Sequence, residues 1–243
     1  MSGAKQGSPA DHDDASSAKL LLPALEVETA AQPQRSVIWL HGLGADGHDF
    51  EAIVPAFNFD RTRVPAIRFI FPHAPMRPVT VNGGYVMRAW YDILSPDFAQ
   101  RREDAHGVHT SARQIEALIA REQARGIAAK HIVLAGFSQG GAIALHTALR
   151  YPQRLAGVLA LSTYLPLADT LLAEAHKTNH GLPIFMAHGQ HDPVIPYPFA
   201  QNSATFLSAA GYPVDWHAYA AEHTLIQEEV RDIEAWLQQV LAY

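Results

Sequence analysis

The sequence predicts an α/β fold: one domain over residues 20–243, built on a doubly wound, mostly parallel sheet. Short continuous apolar runs recur at 36–40, 67–72, 132–135, 155–161 and 183–188. Runs of that length and character are expected of strands buried on both faces. Segments of helical periodicity stand between them, the connections are short, and no internal repeat or linker interrupts the series. Alternating β and α segments of this kind build a sheet covered by helices on both sides. In such sheets ligands bind at the carboxyl ends of the strands.

The first strand, 20–28, contains Pro23, which marks it as an edge strand. After a turn at Pro33 and Gln34, strand 36–40 ends in the loop His41-Gly42-Leu43-Gly44-Ala45-Asp46-Gly47. A helix is expected at 49–57, with Phe50, Ile53 and Val54 on one face. Strand 67–72 is closed by Pro72 and Pro75, and 76–107 reads as irregular, with a tight turn at Asn82-Gly83-Gly84. Helix 109–125 carries Ala112, Ile115, Leu118 and Ile119 on its apolar face and ends at Gly126. A second helix follows strand 132–135 and stops before Pro152. Strand 155–161 exits through Ser162, Thr163 and Tyr164, and a short helix covers 167–176. Strand 183–188, helix 198–211 and the period-two strand 214–219 come next. Thr224 and Gln227 predict a capping box for the last helix, whose buried stripe is Ile226, Val230, Ile233, Leu237 and Val240.

With 243 residues, 48% apolar and 17% charged, the composition is that of an ordinary soluble domain. A net charge of -6 gives no basic footprint, so no nucleic-acid partner is expected. There is no cysteine, which excludes disulfides, thiolate nucleophiles and cysteine metal sites. No apolar run reaches the length of a membrane span, so no integral membrane association is expected. Residues 1–19 are rich in Ser, Ala, Gly and Asp and lack the apolar centre of a secretory signal. They read as a disordered tail, and the location they suggest is cytoplasmic. His188, His191 and Asp192 raise a metal site, but the helical metal-ligand motifs are missing, and none is expected.

The chemistry centres on Gly136-Phe137-Ser138-Gln139-Gly140. The spacing Gly-x-Ser-x-Gly lies between an apolar strand and a helix, which is the context of a nucleophile elbow. The turn is sharp, so the residues flanking the serine must lack a β-carbon. Ser138 is then lifted clear of the sheet, with helix N–H groups aimed toward it. The competing reading is a βα turn whose serine only caps the helix.

A serine hydroxyl needs a base, and the base an orienting acid. Asp192 follows a buried strand and precedes Pro193, whereas Asp169 sits where it would cap a short helix. His223 lies in the loop after the last strand, whereas His217 is within that strand. Asp192 and His223 are therefore the candidates. For the Gly42-x-Gly44-x-x-Gly47 loop there are two readings. One is a dinucleotide cradle, but the acidic ribose partner expected about 20 residues on is missing. The other is an oxyanion loop in which the backbone N–H groups of Leu43 and Gln139 act together. The Gln139 side chain reads as incidental. Trp90 and Tyr91, with Leu165 after a later strand, read as walls of a substrate pocket, against ordinary packing as the alternative.

Together, His41-Gly42-Leu43-Gly44, Ala89-Trp90-Tyr91-Asp92, Gly136-Phe137-Ser138-Gln139-Gly140-Gly141, His188-Gly189-x-x-Asp192-Pro193-Val194 and His223 resemble the phospholipase/carboxylesterase family of α/β hydrolases. The resemblance spans 36–223. It implies the α/β-hydrolase fold, a Ser138-Asp192-His223 triad and an oxyanion hole at Leu43 and Gln139. It implies hydrolysis of short to medium acyl esters or thioesters by a carboxylesterase, without a cofactor and often as a homodimer. Within that class, a lysophospholipid or the thioester of a lipidated protein are alternative substrates. A catalytically silent binding protein on the same fold would show a broken triad or loop, and neither is broken here. The family has a glycine and a small or apolar residue before the histidine, where this chain has Ala221-Glu222. Glu222 is expected to raise the pKa of the base or alter leaving-group access.

Overall fold

The computed structural model describes residues 21–95 and 102–242, so the expected tail at 1–19 lies outside the described residues. Nine strands form: β1 (Ala24–Glu28), β2 (Arg35–Leu40), β3 (Ile67–Pro72), β4 (Met76–Val79), β5 (Tyr85–Arg88), β6 (Ile132–Phe137), β7 (Gly157–Leu161), β8 (Ile184–Gly189) and β9 (Val214–Tyr219). Five α-helices accompany them: α1 (Ala105–Ala124), α2 (Gln139–Arg150), α3 (Ala168–Glu174), α4 (Tyr197–Ala209) and α5 (Gln227–Val240). Seven strands make one sheet in the order β1-β3-β2-β6-β7-β8-β9. Among the described residues of this sheet only the β1–β3 pair is antiparallel, with β1 at the edge.

The continuous apolar runs are explained by two cores. Successive strand side chains point to opposite faces. Ile38, Leu40, Leu134 and Val158 pack on one side with Ile115 and Leu118 of α1 and Ile143 of α2. Val37, Trp39, Val133 and Leu159 pack on the other with Ile233 and Leu237 of α5. None of the described helices is long and apolar enough to cross a membrane.

Several boundaries differ from expectation. Residues 76–88 are not irregular. β4 and β5 form a separate hairpin joined by a 3-10 turn at Thr80–Asn82, with Gly83 left-handed at φ 66°. Each strand has four residues and lacks clean alternation, which hid them. The helix expected at 49–57 is a 3-10 turn, Glu51–Ala56, with Pro55 inside it. Helix α1 begins before His109 because the Asp104 carboxylate accepts the Gly107 N–H at 2.9 Å. Asp169 lies in the first turn of α3 and does not cap it.

The Thr224–Gln227 capping box does not form, since α5 starts at Gln227 with Ile226 as its cap residue. Glu229 instead accepts the Ile226 backbone N–H. Burial pushes the Glu229 carboxyl up to about 8, with Asp232 adding to the effect. The folded chain therefore holds a proton that the unfolded chain releases near its ordinary value of 4.5. The stabilisation is fully present below pH 4.5 and is lost as pH rises through 8. Glu229→Gln is expected to match the parent near pH 4.5 and to exceed it by on the order of 2 kcal/mol above pH 8. Urea unfolding of both proteins across that range checks this, and a gap that stays flat with pH would contradict it.

Candidate active site

Ser138 sits between β6 and α2 at φ 54°, ψ −121°, a conformation that costs a non-glycine residue on the order of 1–3 kcal/mol. The surroundings hold it there. Its N–H donates to Leu161 O at 2.8 Å, and its carbonyl accepts from Thr163 Oγ1 at 2.6 Å. The elbow is tight. A β-carbon at Gly136 would lie 2.4 Å from Gly140 O, and one at Gly140 would lie 2.4 Å from Leu40 O. Glycine at both positions lets β2, β6 and α2 meet.

Asp192 and His223 are brought together by their loops. Gln190 N–H donates to Tyr219 O at 2.8 Å and His191 N–H to Ala221 O at 3.0 Å. The two backbones are so close that a β-carbon at Gly189 would meet Glu222 O at 2.3 Å. Across this junction His223 Nδ1 lies 2.7 Å from Asp192 Oδ2. A carboxylate only accepts, so the hydrogen is on Nδ1, which leaves Nε2 as the ring nitrogen able to act as a base. Asp192 Oδ1 accepts the N–H groups of Val194 at 2.8 Å and Ile195 at 2.9 Å. Burial pushes the Asp192 carboxyl up, but hydrogen bonds from His188, His223 and Ile195 outweigh it and hold it well below the usual carboxylate range.

Phe137, the residue before Ser138, packs against the histidine of this pair. The Phe137 ring lies 4.7 Å from the His223 ring, centroid to centroid. The Ser138 hydroxyl makes no hydrogen bond among the described residues. Glu222 is exposed, and the carboxylate hydrogen-bonded to His223 is Asp192.

The loop after β2 is braced from below. Burial brings the His41 imidazole down to about 4, so it is neutral at pH 7. Its Nδ1–H donates to Gly42 O at 2.7 Å and its Nε2 accepts the Ala74 N–H at 3.1 Å. The Trp90 indole N–H donates to His41 O at 2.8 Å. The Gln139 side chain is not incidental. Its Oε1 accepts the Trp90 N–H at 2.8 Å and its Nε2–H donates to Tyr91 O at 2.7 Å. Gln139 thus ties the start of α2 to the Trp90–Tyr91 segment, and Trp90 ties that segment to the loop. The N–H groups of Leu43 and Gln139 have no acceptor among the described residues.

A cavity of about 390 Å³ opens beside Ser138, with Leu43 and Gln139 in its lining. Most of its wall is apolar, including Tyr91, Ile93, Tyr164, Val194 and Ile195. Tyr91 therefore lines the cavity, with its hydroxyl hydrogen-bonded to that of Tyr164. Trp90 and Leu165 do not. Trp90 is fully buried under the loop, and Leu165 belongs to the core. Tyr164, one residue earlier, takes the wall position.

The competing site readings fare differently. The glycine loop leads into a 3-10 turn and not into an α-helix of its own, and its Gly44 and Gly47 N–H groups already bind Arg88 O and His73 Nδ1. That geometry does not suit a dinucleotide. His217 bonds Asp215 at 3.0 Å and stacks on Phe185, away from Asp192. His188 bonds Asp192, while His191 is exposed. Among the described residues no group of three side chains is arranged to hold a metal.

A strained serine between strand and helix, an aspartate–histidine pair past the ends of β8 and β9 and a mostly parallel sheet define the class: this is an α/β hydrolase. The chain belongs to the phospholipase/carboxylesterase family, whose model matches residues 23–241, and it is an ester or thioester hydrolase. It is similar to acyl-protein thioesterase 1 of Neurospora crassa, 39% identical over 226 residues that cover 90% of this chain and 92% of that protein. The namesake from Gibberella zeae is 36% identical over 231 residues, covering 92% and 96%. Among solved structures, Arabidopsis thaliana SOBER1 superposes with a TM-score of 0.80 at 31% identity, covering 85% of this chain and 99% of that one. Zea mays acyl-protein thioesterase 2 also gives 0.80, at 28% identity over 90% and 99%.

Proposed function

We propose that this protein hydrolyses carboxylic esters and thioesters of short to medium acyl chains through an acyl-enzyme on Ser138. The observation that carries the reading is the 2.7 Å Asp192–His223 bond, whose histidine ring packs on Phe137, next to the strained serine in the chain. His223 Nε2 takes the Ser138 proton as the hydroxyl oxygen attacks the acyl carbonyl. Asp192 holds the resulting imidazolium. The Leu43 and Gln139 N–H groups receive the oxyanion, a contribution of about 3 kcal/mol per donor. As the intermediate collapses, the His223 imidazolium gives its proton to the leaving oxygen or sulfur, which departs as an alcohol or thiol. Water, deprotonated by the same ring, attacks the acyl carbonyl; the ester bond to Ser138 breaks, the ring returns the proton to Ser138 Oγ, and the acid is released.

The apolar cavity suits an acyl chain. The names of the relatives favour a protein thioester as the natural substrate, with a simple carboxylic ester as the alternative. Rates on p-nitrophenyl esters from acetyl to palmitoyl, beside an S-acylated peptide, test both. Hydrolysis of the shorter esters is expected, with the S-acyl peptide cleaved at least as efficiently. No turnover across the whole series would overturn the reading. Turnover of the esters with the thioester untouched would leave a carboxylesterase.

A further inference from the structure

The sequence motif His188-Gly189-x-x-Asp192 contains a second histidine that the proposed mechanism does not use. His188 is the penultimate residue of β8, and its side chain is fully buried. Its Nε2 lies 2.9 Å from Ile195 O and 3.2 Å from Asp192 Oδ2. A carbonyl oxygen only accepts, so Nε2 carries the hydrogen, which is shared between the two oxygens. The other ring nitrogen, Nδ1, is buried and has no partner among the described residues. A lone orphaned nitrogen is a cost, and the ring is kept despite it.

The bonds around His188 close a ring. Ile195 gives its N–H to Asp192 Oδ1 and its carbonyl to His188, while His188 reaches across to Asp192 Oδ2. That same Oδ2 receives His223 Nδ1. One carboxylate oxygen therefore lies between two imidazoles. Besides Asp192 and, beyond it, His223, the titratable group facing His188 is Tyr197 of α4, whose ring centroid is 6.2 Å away.

We propose that His188 is a positioning residue for the acid–base pair. Its Nε2–H fixes the rotation of the Asp192 carboxylate, so that Oδ2 faces His223, and it takes up part of that oxygen's negative charge. Two consequences follow. Without this donor Oδ2 is held by His223 alone, the carboxylate can tilt about the Oδ1 bonds from Val194 and Ile195, and the geometry that orients His223 loosens. The charge left on Oδ2 is also less shared, so it holds a proton on His223 more strongly, and the free base appears only at higher pH. His188 has this role only through Asp192 and His223 acting as proposed above.

Two substitutions separate the atom from the bulk. His188→Gln sets an amide N–H at the reach of Nε2. His188→Asn is polar too, but its amide ends at the position of Nδ1. The kcat and KM of both, measured on a short p-nitrophenyl ester from pH 5 to 9, read the effect. His188→Asn is expected to lose about tenfold to a hundredfold in kcat with KM little changed, and the acid limb of its kcat/KM profile should move to higher pH. His188→Gln should recover most of the rate and the parent acid limb. Titration with a fluorophosphonate counts the folded, competent sites, so rates refer to those alone. Parent-like kcat and acid limb in His188→Asn would overturn the proposal, as would equal losses in the two variants. Retained activity in Ser138→Ala would instead overturn the mechanism itself, whatever the His188 variants do.

Discussion

Replacing Ser138 with alanine is expected to lower kcat for ester hydrolysis by about a millionfold, with the fold left in place. The size follows from the chemistry. Without the hydroxyl no acyl-enzyme forms, and what remains is water attack assisted by bound N–H groups. The retained fold follows from the structure. Alanine keeps the β-carbon in the elbow, and the hydroxyl makes no hydrogen bond among the described residues. The backbone bonds to Leu161 and from Thr163 are untouched. Fluorophosphonate labelling should vanish, while the thermal midpoint stays close to that of the parent. Ester turnover surviving the substitution would show that another group is the nucleophile.

Asp192→Asn is expected to cost about ten-thousandfold in kcat. The amide oxygen will take the Oδ1 position, because the Val194 and Ile195 N–H groups there need an acceptor. The amide nitrogen then falls where Oδ2 was, facing His223 Nδ1 and His188 Nε2. An N–H now points at His223, so the ring must accept at Nδ1 and carry its hydrogen on Nε2. In that tautomer it has no lone pair for the Ser138 proton. On the other side the amide N–H meets the His188 N–H, two donors in contact. Flipping the amide would only move the conflict to the Val194 and Ile195 N–H groups. Asp192→Asn should therefore be both inactive and less stable than Ser138→Ala, which thermal melts and single-turnover acylation can separate. Near-parent kcat in Asp192→Asn would mean that the Asp192–His223 bond does not set the tautomer during turnover.

Much of this arrangement is legible along the chain because it is local. Strand-length apolar runs gave the sheet, and the glycines around Ser138 gave the elbow, since both are matters of side-chain period and β-carbon sterics. Asp192 and His223 were legible as residues just past strand ends, where a parallel sheet gathers its polar groups. What was missed joins distant segments. The Gln139 clamp on Trp90 links residues 49 positions apart. His188 was visible in a motif and as a candidate metal ligand that was set aside, and its bond to Asp192 needed the turn between them. The hairpin at β4 and β5 was hidden because it stands outside the main sheet and has too few residues to show a period.

By itself, then, the sequence determined the fold class, the strained turn at Ser138 and the candidates for base and acid, because each depends on a few neighbouring residues. Only the tertiary structure decided which oxygen of Asp192 His223 meets, and that His188 meets it too. It also decided that Tyr91 and Tyr164 face the cavity while Trp90 and Leu165 are buried behind it. The physical reason is the same in each case. An apolar side chain reads alike whether it fills a core or walls a pocket, and a hydrogen bond exists only once packing has brought its two ends within about 3 Å.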